Sequence, residues 1–178
     1  MIYLFLADGF EEIEALAPAD ILRRGGEKVL TVGVTGNTVR GAHGIEVSAD
    51  ILPCDVDLSA LEAVILPGGM PGTLNLKADK NVQNILKFAF DNKKLIAAIC
   101  AAPSILGEGG YLEGKRATCF PGFEDSLKGA EFVNKKVVCD GNIITGCGAG
   151  AAMEFGKEIL AYMTDCENAE KILKAMLY

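Results

Sequence analysis

Tryptophan is absent from these 178 residues, and histidine occurs once, at His43. A hydrolase built on a nucleophile and an imidazole base would have to bring that one ring to the nucleophile across the fold or between subunits. Basic runs are missing too: none exceeds the pairs Arg23-Arg24, Lys93-Lys94 and Lys135-Lys136, and 17 basic against 24 acidic residues leave a net charge of −7. Such a surface repels phosphate backbones and anionic headgroups, so neither nucleic acid nor membrane is expected as a partner. No apolar stretch reaches the ~18 residues of a spanning helix. Met1 to Ala7 lacks a basic start and stops at Asp8, which reads as a strand and not as a signal peptide. The six cysteines, at 54, 100, 119, 139, 147 and 166, form no CxxC pair. With no export signal ahead of them they read as reduced thiols of a cytoplasmic protein, without a disulfide framework or a zinc centre.

What is present is an ordinary globular composition, 50% hydrophobic and 23% charged. At ~150 residues per domain the length suits a single domain, residues 1–178, with one core able to bury roughly 70% of the unfolded surface. Strand-length apolar runs (Ile2–Ala7, Lys28–Val34, Ala63–Pro67, Leu95–Ile99, Ala117–Phe120, Ile143–Gly146) alternate with helix-like segments near 11–25, 74–92, 101–109 and 149–163. The alternation predicts an α/β fold: a buried, mostly parallel sheet with helices on both faces. Thr38–Ala49 alternates as a small β-hairpin, and Asp140-Gly141 marks a turn between two further apolar runs. Glu167–Leu177 forms a last helix with Ala169, Ile172, Leu173 and Met176 on one stripe. In an open sheet of this kind reactive groups gather beyond the carboxyl ends of the strands, so the junctions after Ala7, Pro67, Ile99, Phe120 and Gly146 are where chemistry is expected.

Glu14 is the first residue to stand out. On a helix advancing about 100° per residue it shares a face, within about 60°, with Phe10, Ala17, Pro18, Ile21 and Gly25, whereas Glu12, Asp20 and Arg23 fall on the far side. A carboxylate in an apolar stripe is costly to leave ionised, and burial raises its pKa. Pro18 has no N–H for the Glu14 carbonyl, which adds a local irregularity. A helix cap or an arginine pair is the plainer alternative. Cys100 follows Leu95–Ile99 and precedes Ala101-Ala102-Pro103, a sharp strand-to-helix turn with small neighbours that projects its side chain as a nucleophile elbow does. The start of the new helix favours a thiolate there, while an inert core cysteine is the alternative. Gly68 and Gly69 open the junction after Pro67, where their amides would converge on developing negative charge. Cys119 and Cys147 end predicted strands and would lie near Cys100. His43, remote from every junction, is weighed as an accessory group against a solvated loop residue.

Taken together, Phe5–Glu14, Leu66-Pro67-Gly68-Gly69, Ile96–Pro103, Thr145–Gly148 and Glu154-Phe155 resemble the ThiJ/PfpI superfamily of the class I glutamine amidotransferase-like fold, in its parkinsonism-associated deglycase branch. The resemblance covers nearly the whole chain. It implies a flavodoxin-like sandwich, a homodimer, no metal and no cofactor, and a small carbonyl substrate of the methylglyoxal type or an adduct of it. It also implies a low-pKa, easily oxidised Cys100, a mostly protonated Glu14 that hydrogen-bonds it, and a pocket lined by the amides of Gly69 and Ala101. Members are glyoxalases, deglycases, redox sensors or stress-linked chaperones. One position departs from the branch: a Thr-x-His-Pro stretch is replaced by Thr118-Cys119-Phe120-Pro121, so the expected base is absent and peptidase activity is not expected. Cys119, next to the vacated position, suggests itself as a resolving thiol for Cys100.

Overall fold

Runs rich in branched residues become the strands, and the amphipathic stretches between them the helices. The computed structural model describes all 178 residues. In chain order the elements are β1 (Ile2–Leu6), α1 (Glu12–Arg24), β2 (Val29–Gly33), β3 (Thr38–Arg40), β4 (Glu46–Ser48), β5 (Ala63–Leu66), α2 (Gly72–Ala78), α3 (Lys80–Asp91), β6 (Leu95–Ile99), α4 (Pro103–Glu108), β7 (Arg116–Ala117), β8 (Glu131–Phe132), β9 (Val137–Asp140), β10 (Ile143–Gly146), α5 (Ala152–Met163) and α6 (Cys166–Ala175). Six strands form one sheet in the order β2-β1-β5-β6-β10-β9, parallel except for the edge strand β9. Without that edge strand this is the flavodoxin order, whose direction reverses between β1 and β5.

The sheet is apolar on both faces, as a parallel sheet between helices must be. Tyr3, Phe5, Ile96 and Ala98 point into one core with Leu76, Val82, Ile85, Leu86 and Ile105 of α2, α3 and α4. Ile2, Leu4, Leu6, Ala97 and Ile99 point into the other with Ala15, Ile21, Leu22, Phe155, Ile159 and Leu173 of α1, α5 and α6. The helix α1 continues through Pro18, and α5 packs close there because a side chain at Gly156 would meet the Pro18 Cα at 3.0 Å and Ile21 Cδ1 at 2.8 Å.

Three expectations are corrected. Ala117–Phe120 is not a strand of the main sheet: only Arg116–Ala117 pairs, with β8, in a separate two-stranded ribbon. The Thr118 N–H bonds the Thr145 hydroxyl at 2.9 Å instead, and its own hydroxyl donates to the Lys135 carbonyl. The segment 74–92 is two helices, because the Asp79 carboxylate accepts the Val82 N–H at 2.9 Å and starts α3 afresh.

Glu12, assigned to the outer side of α1, is 4% exposed. The β3–β4 hairpin, present as expected, folds over it. Its Oε1 accepts the main-chain N–H of His43 at 2.8 Å and of Ile45 at 3.4 Å, and its Oε2 lies 2.8 Å from His43 Nδ1. Burial pushes the carboxyl up, but the His43 ring and these amides outweigh it and hold the group below its ordinary range. The same contact raises His43. Glu12→Ala strands two amides, so urea unfolding at neutral pH is expected to show a loss of about 1–3 kcal/mol. A stability equal to wild type would mean that the hairpin does not need this carboxylate.

Candidate active site

Four strand ends build the site: those of β1, β5, β6 and β10. Glu14 arrives on the first turn of α1, where Glu11 caps the helix by accepting the Glu14 N–H at 2.9 Å. Its side chain is fully buried. Oε2 accepts the Gly68 N–H at 2.9 Å, whereas Oε1 is buried with no hydrogen-bond partner. Burial, reinforced by the Glu11 charge, pushes Glu14 up to about 7, against the opposing pull of Cys100 and the Gly68 amide. Near neutral pH this acid is therefore poised between its two forms.

Cys100 is half-buried at the end of β6, with φ of 66°. A side chain in the left-handed region is uncommon, and here it marks the elbow expected from the sequence. The turn is fixed on both sides: the Cys100 N–H donates to Gly146 O, and its carbonyl accepts the Phe120 N–H, each at 2.8 Å. The amides of Gly69 and Ala101 act on the sulfur in the direction that lowers its pKa. Burial and the neighbouring Glu14 carboxylate prevail, pushing the thiol up to about 12. The two groups are thus close neighbours, although Oε1 and the sulfur stand outside ordinary hydrogen-bonding geometry. The depressed thiol implied by the resemblance is not what this geometry gives: burial first, and the Glu14 charge second, hold the sulfur protonated, and the pair titrates as a unit.

Glycine at 68 is what lets the pair meet. A Cβ there would lie 2.7 Å from both Cys100 Cβ and Glu14 Oε2. Gly68→Ala is accordingly expected to cost about 1–3 kcal/mol in thermal or urea unfolding, and to displace either the acid or the thiol. A variant of unchanged stability would show that the contact is loose. Gly69, with φ of 87°, takes a conformation that favours glycine and packs on the β1–α1 turn, its Cβ position 2.4 Å from the Glu11 nitrogen. The proposed trio of amides is corrected in one respect: the Gly68 N–H is committed to Glu14, leaving Gly69 and Ala101 to face the sulfur.

The accessory candidates separate. Cys119 is 2% exposed within the core that holds Ile105 and Leu106, and its thiol is pushed up to about 11 by burial and by Glu124. Cys147 is half-buried directly after β10, beside Cys100. His43 belongs to the Glu12 pair and is not brought to the sulfur. Glu11, Glu12 and His43 place ligand-type atoms within 4.8 Å of one another. Glu12 already spends both oxygens on the ring and two amides, so the trio works as a completed ion pair.

The glycines at 146, 148 and 150 read as close main-chain approach to this edge, but sequence reading did not place the Phe120 ring in the wall opposite Glu14. A Cβ at Gly148 would lie 3.2 Å from the Phe120 ring and 4.0 Å from Glu14 Oε1, so the phenyl group and a bare stretch of main chain close that side. The Gly146-Cys147-Gly148 spacing was the available signal. Surface hollows occur elsewhere, among them one of about 340 Å³ lined by Glu11, Glu12, Ile13, His43 and Ile45. None includes Cys100.

Residues 1–162 match the DJ-1/PfpI family model. The chain is 38% identical to protein DJ-1 homolog A of Arabidopsis thaliana over 97% of its own length, but spans only 45% of that longer relative. It is 32% identical to the glutathione-independent glyoxalase DJR-1.2 of Caenorhabditis elegans, covering 93% of this chain and 89% of that one. Further relatives are named deglycases. The crystal structure of Drosophila melanogaster DJ-1beta superposes with a TM-score of 0.94 at 34% identity, over 99% of this chain and 96% of the other. Sequence, fold and the strand-end placement of the cysteine agree, and the chain belongs to the DJ-1/PfpI family.

Proposed function

We propose that this protein is a cofactor-independent glyoxalase or deglycase acting on methylglyoxal-type aldehydes or their adducts. The observation that carries the reading is the proximity of a half-buried cysteine to a fully buried acid pushed up to about 7, both within 2.7 Å of the Gly68 Cβ position. The Cys100 sulfur attacks the aldehyde carbon as Glu14 takes the thiol proton. The Gly69 and Ala101 amides stabilise the resulting oxyanion. Glu14 gives that proton to the substrate's ketone oxygen, then takes the proton of the former aldehyde carbon and delivers it to the adjacent carbon. The oxyanion collapses to a thioester, and water releases lactate and regenerates the thiol. Phe120, at the rim and unable to carry a proton, supports the view that peptide hydrolysis is not the activity.

The test is lactate formation from methylglyoxal without glutathione. Product no faster than in buffer would overturn the enzymatic reading. A redox sensor is the second reading, favoured by the unpartnered Oε1: when protonated it would donate a hydrogen bond to an oxidised Cys100. A homodimer is supported by Ile13 and Ile45, each 55% exposed on neighbouring elements. A cytoplasmic location is supported by six cysteines that are all unpaired. No helix is long and apolar enough to cross a membrane.

A further inference from the structure

Phe120 is tied to the reactive pair by its main chain and by its ring. Its N–H donates to the Cys100 carbonyl at 2.8 Å, and its own carbonyl accepts the Phe123 N–H at 3.1 Å, which fixes it to the elbow and to the turn that follows. The ring lies against Gly148: a Cβ there would stand 3.2 Å from Phe120 Cδ2 and 4.0 Å from Glu14 Oε1. Ring and acid therefore flank one glycine, and the missing side chain leaves the space between them clear.

Exposed apolar side chains are common and carry no message by themselves. Two features set this one apart. Phe120 is 47% exposed, so one side of it rests on the main chain at Gly148 while the other is open. Across the glycine stands the Glu14 oxygen that has no hydrogen-bond partner, on a side chain that is fully buried. A buried oxygen left in this way is a cost to the fold unless a bound molecule uses it.

The chemistry sets how a substrate lies between them. In the reaction given above the aldehyde carbon bonds to the Cys100 sulfur, and the ketone oxygen takes a proton from Glu14. Oε1 is the oxygen free for that transfer, because Oε2 accepts the Gly68 N–H at 2.9 Å. A ketone carbon is trigonal. With one neighbour directed at the sulfur and the oxygen at Oε1, its third substituent leaves toward the open side, along the Phe120 ring.

We propose that Phe120 determines specificity at this site, its ring packing on the substituent of the ketone carbon, so that the preferred substrates are 2-oxoaldehydes with a flat, uncharged, apolar substituent, aryl before methyl and methyl before hydrogen. The inference rests on the carbonyl chemistry given above and names the substrate class within it. Offset or edge-to-face packing of two rings adds to what the apolar contact removes from water. An anionic substituent would instead meet the Glu11 charge, which already acts on Glu14.

The experiment measures kcat/KM of the full chain for phenylglyoxal, methylglyoxal and glyoxal, read as mandelate, lactate and glycolate above the Cys100→Ala background. Each product arises by the same hydrogen shift and addition of water. Glyoxal has no substituent on its second carbon, so it reports the chemistry without the contact. The phenylglyoxal-to-glyoxal ratio is expected to favour the aryl substrate in wild type, to fall roughly tenfold in Phe120→Ala, and to be retained in Phe120→Tyr, which keeps the flat face. Phe120→Leu keeps apolar bulk over Gly148 and secures the comparison should alanine loosen the turn; there the ratio falls several-fold. A wild type that does not favour phenylglyoxal, or a ratio unchanged in the alanine and leucine variants, overturns the proposal while lactate formation stands. Product no faster than background from all three substrates overturns it together with the glyoxalase reading.

Discussion

Cys100→Ala abolishes lactate formation from methylglyoxal, and Glu14→Gln lowers kcat/KM by roughly 10²–10⁴-fold, the range of a positioned proton shuttle. The two losses have different origins. Alanine removes the atom that bonds to the aldehyde carbon, so nothing but background hydration remains. Glutamine keeps the size of Glu14 and an oxygen for the Gly68 amide, but it neither accepts the thiol proton nor carries a proton between the two substrate carbons. Alkylation by iodoacetamide separates the roles. Glu14 charge is one of the forces that push the Cys100 thiol up to about 12, so the glutamine variant should alkylate faster at a given pH above neutrality even as turnover falls. Equal lactate rates in wild type and both variants would remove the enzyme reading and leave the oxidation chemistry standing.

The parts legible in the sequence were those set by local pattern. Leu95–Ile99 is apolar throughout because both faces of the sheet are covered, and Thr38–Ser48 alternates because its hairpin is covered on one. Glu14 was legible for the same reason: one charge in an apolar stripe has few places to go. What escaped were relations between elements distant in sequence. Glu12 is assigned to solvent by α1 alone, and only the arrival of Gly41–Ile45 over it, with a Gly41 Cβ position 2.3 Å from Oε1, makes it a buried anchor. The run Ala117–Phe120 reads as a strand by its residues, yet the amides of Thr118 and Phe120 are claimed by Thr145 and Cys100.

Stability is expected to fall as pH rises from about 4.5 to about 7, because Glu14 titrates near 4.5 when exposed and near 7 in the folded chain. Between those values the native state binds the proton more tightly than the unfolded chain, so unfolding releases it and each increment of pH favours unfolding. The contribution is complete below the unfolded pKa and gone above the folded one, about 3 kcal/mol across the window. Glu12 acts with the opposite sign, since its pKa is lowered and it stabilises the fold once pH exceeds its unfolded value. The raw wild-type curve therefore mixes both effects, and the informative quantity is the difference from Glu14→Gln. Urea unfolding across pH 4 to 8 should show the variant gaining on wild type through this window, then holding a constant advantage. This extra stability would accompany the loss of turnover, as expected where a buried acid is kept for chemistry at the expense of the fold. Parallel curves for the two proteins would show that Glu14 is solvated, and with that the basis for its proton-shuttle role would be gone.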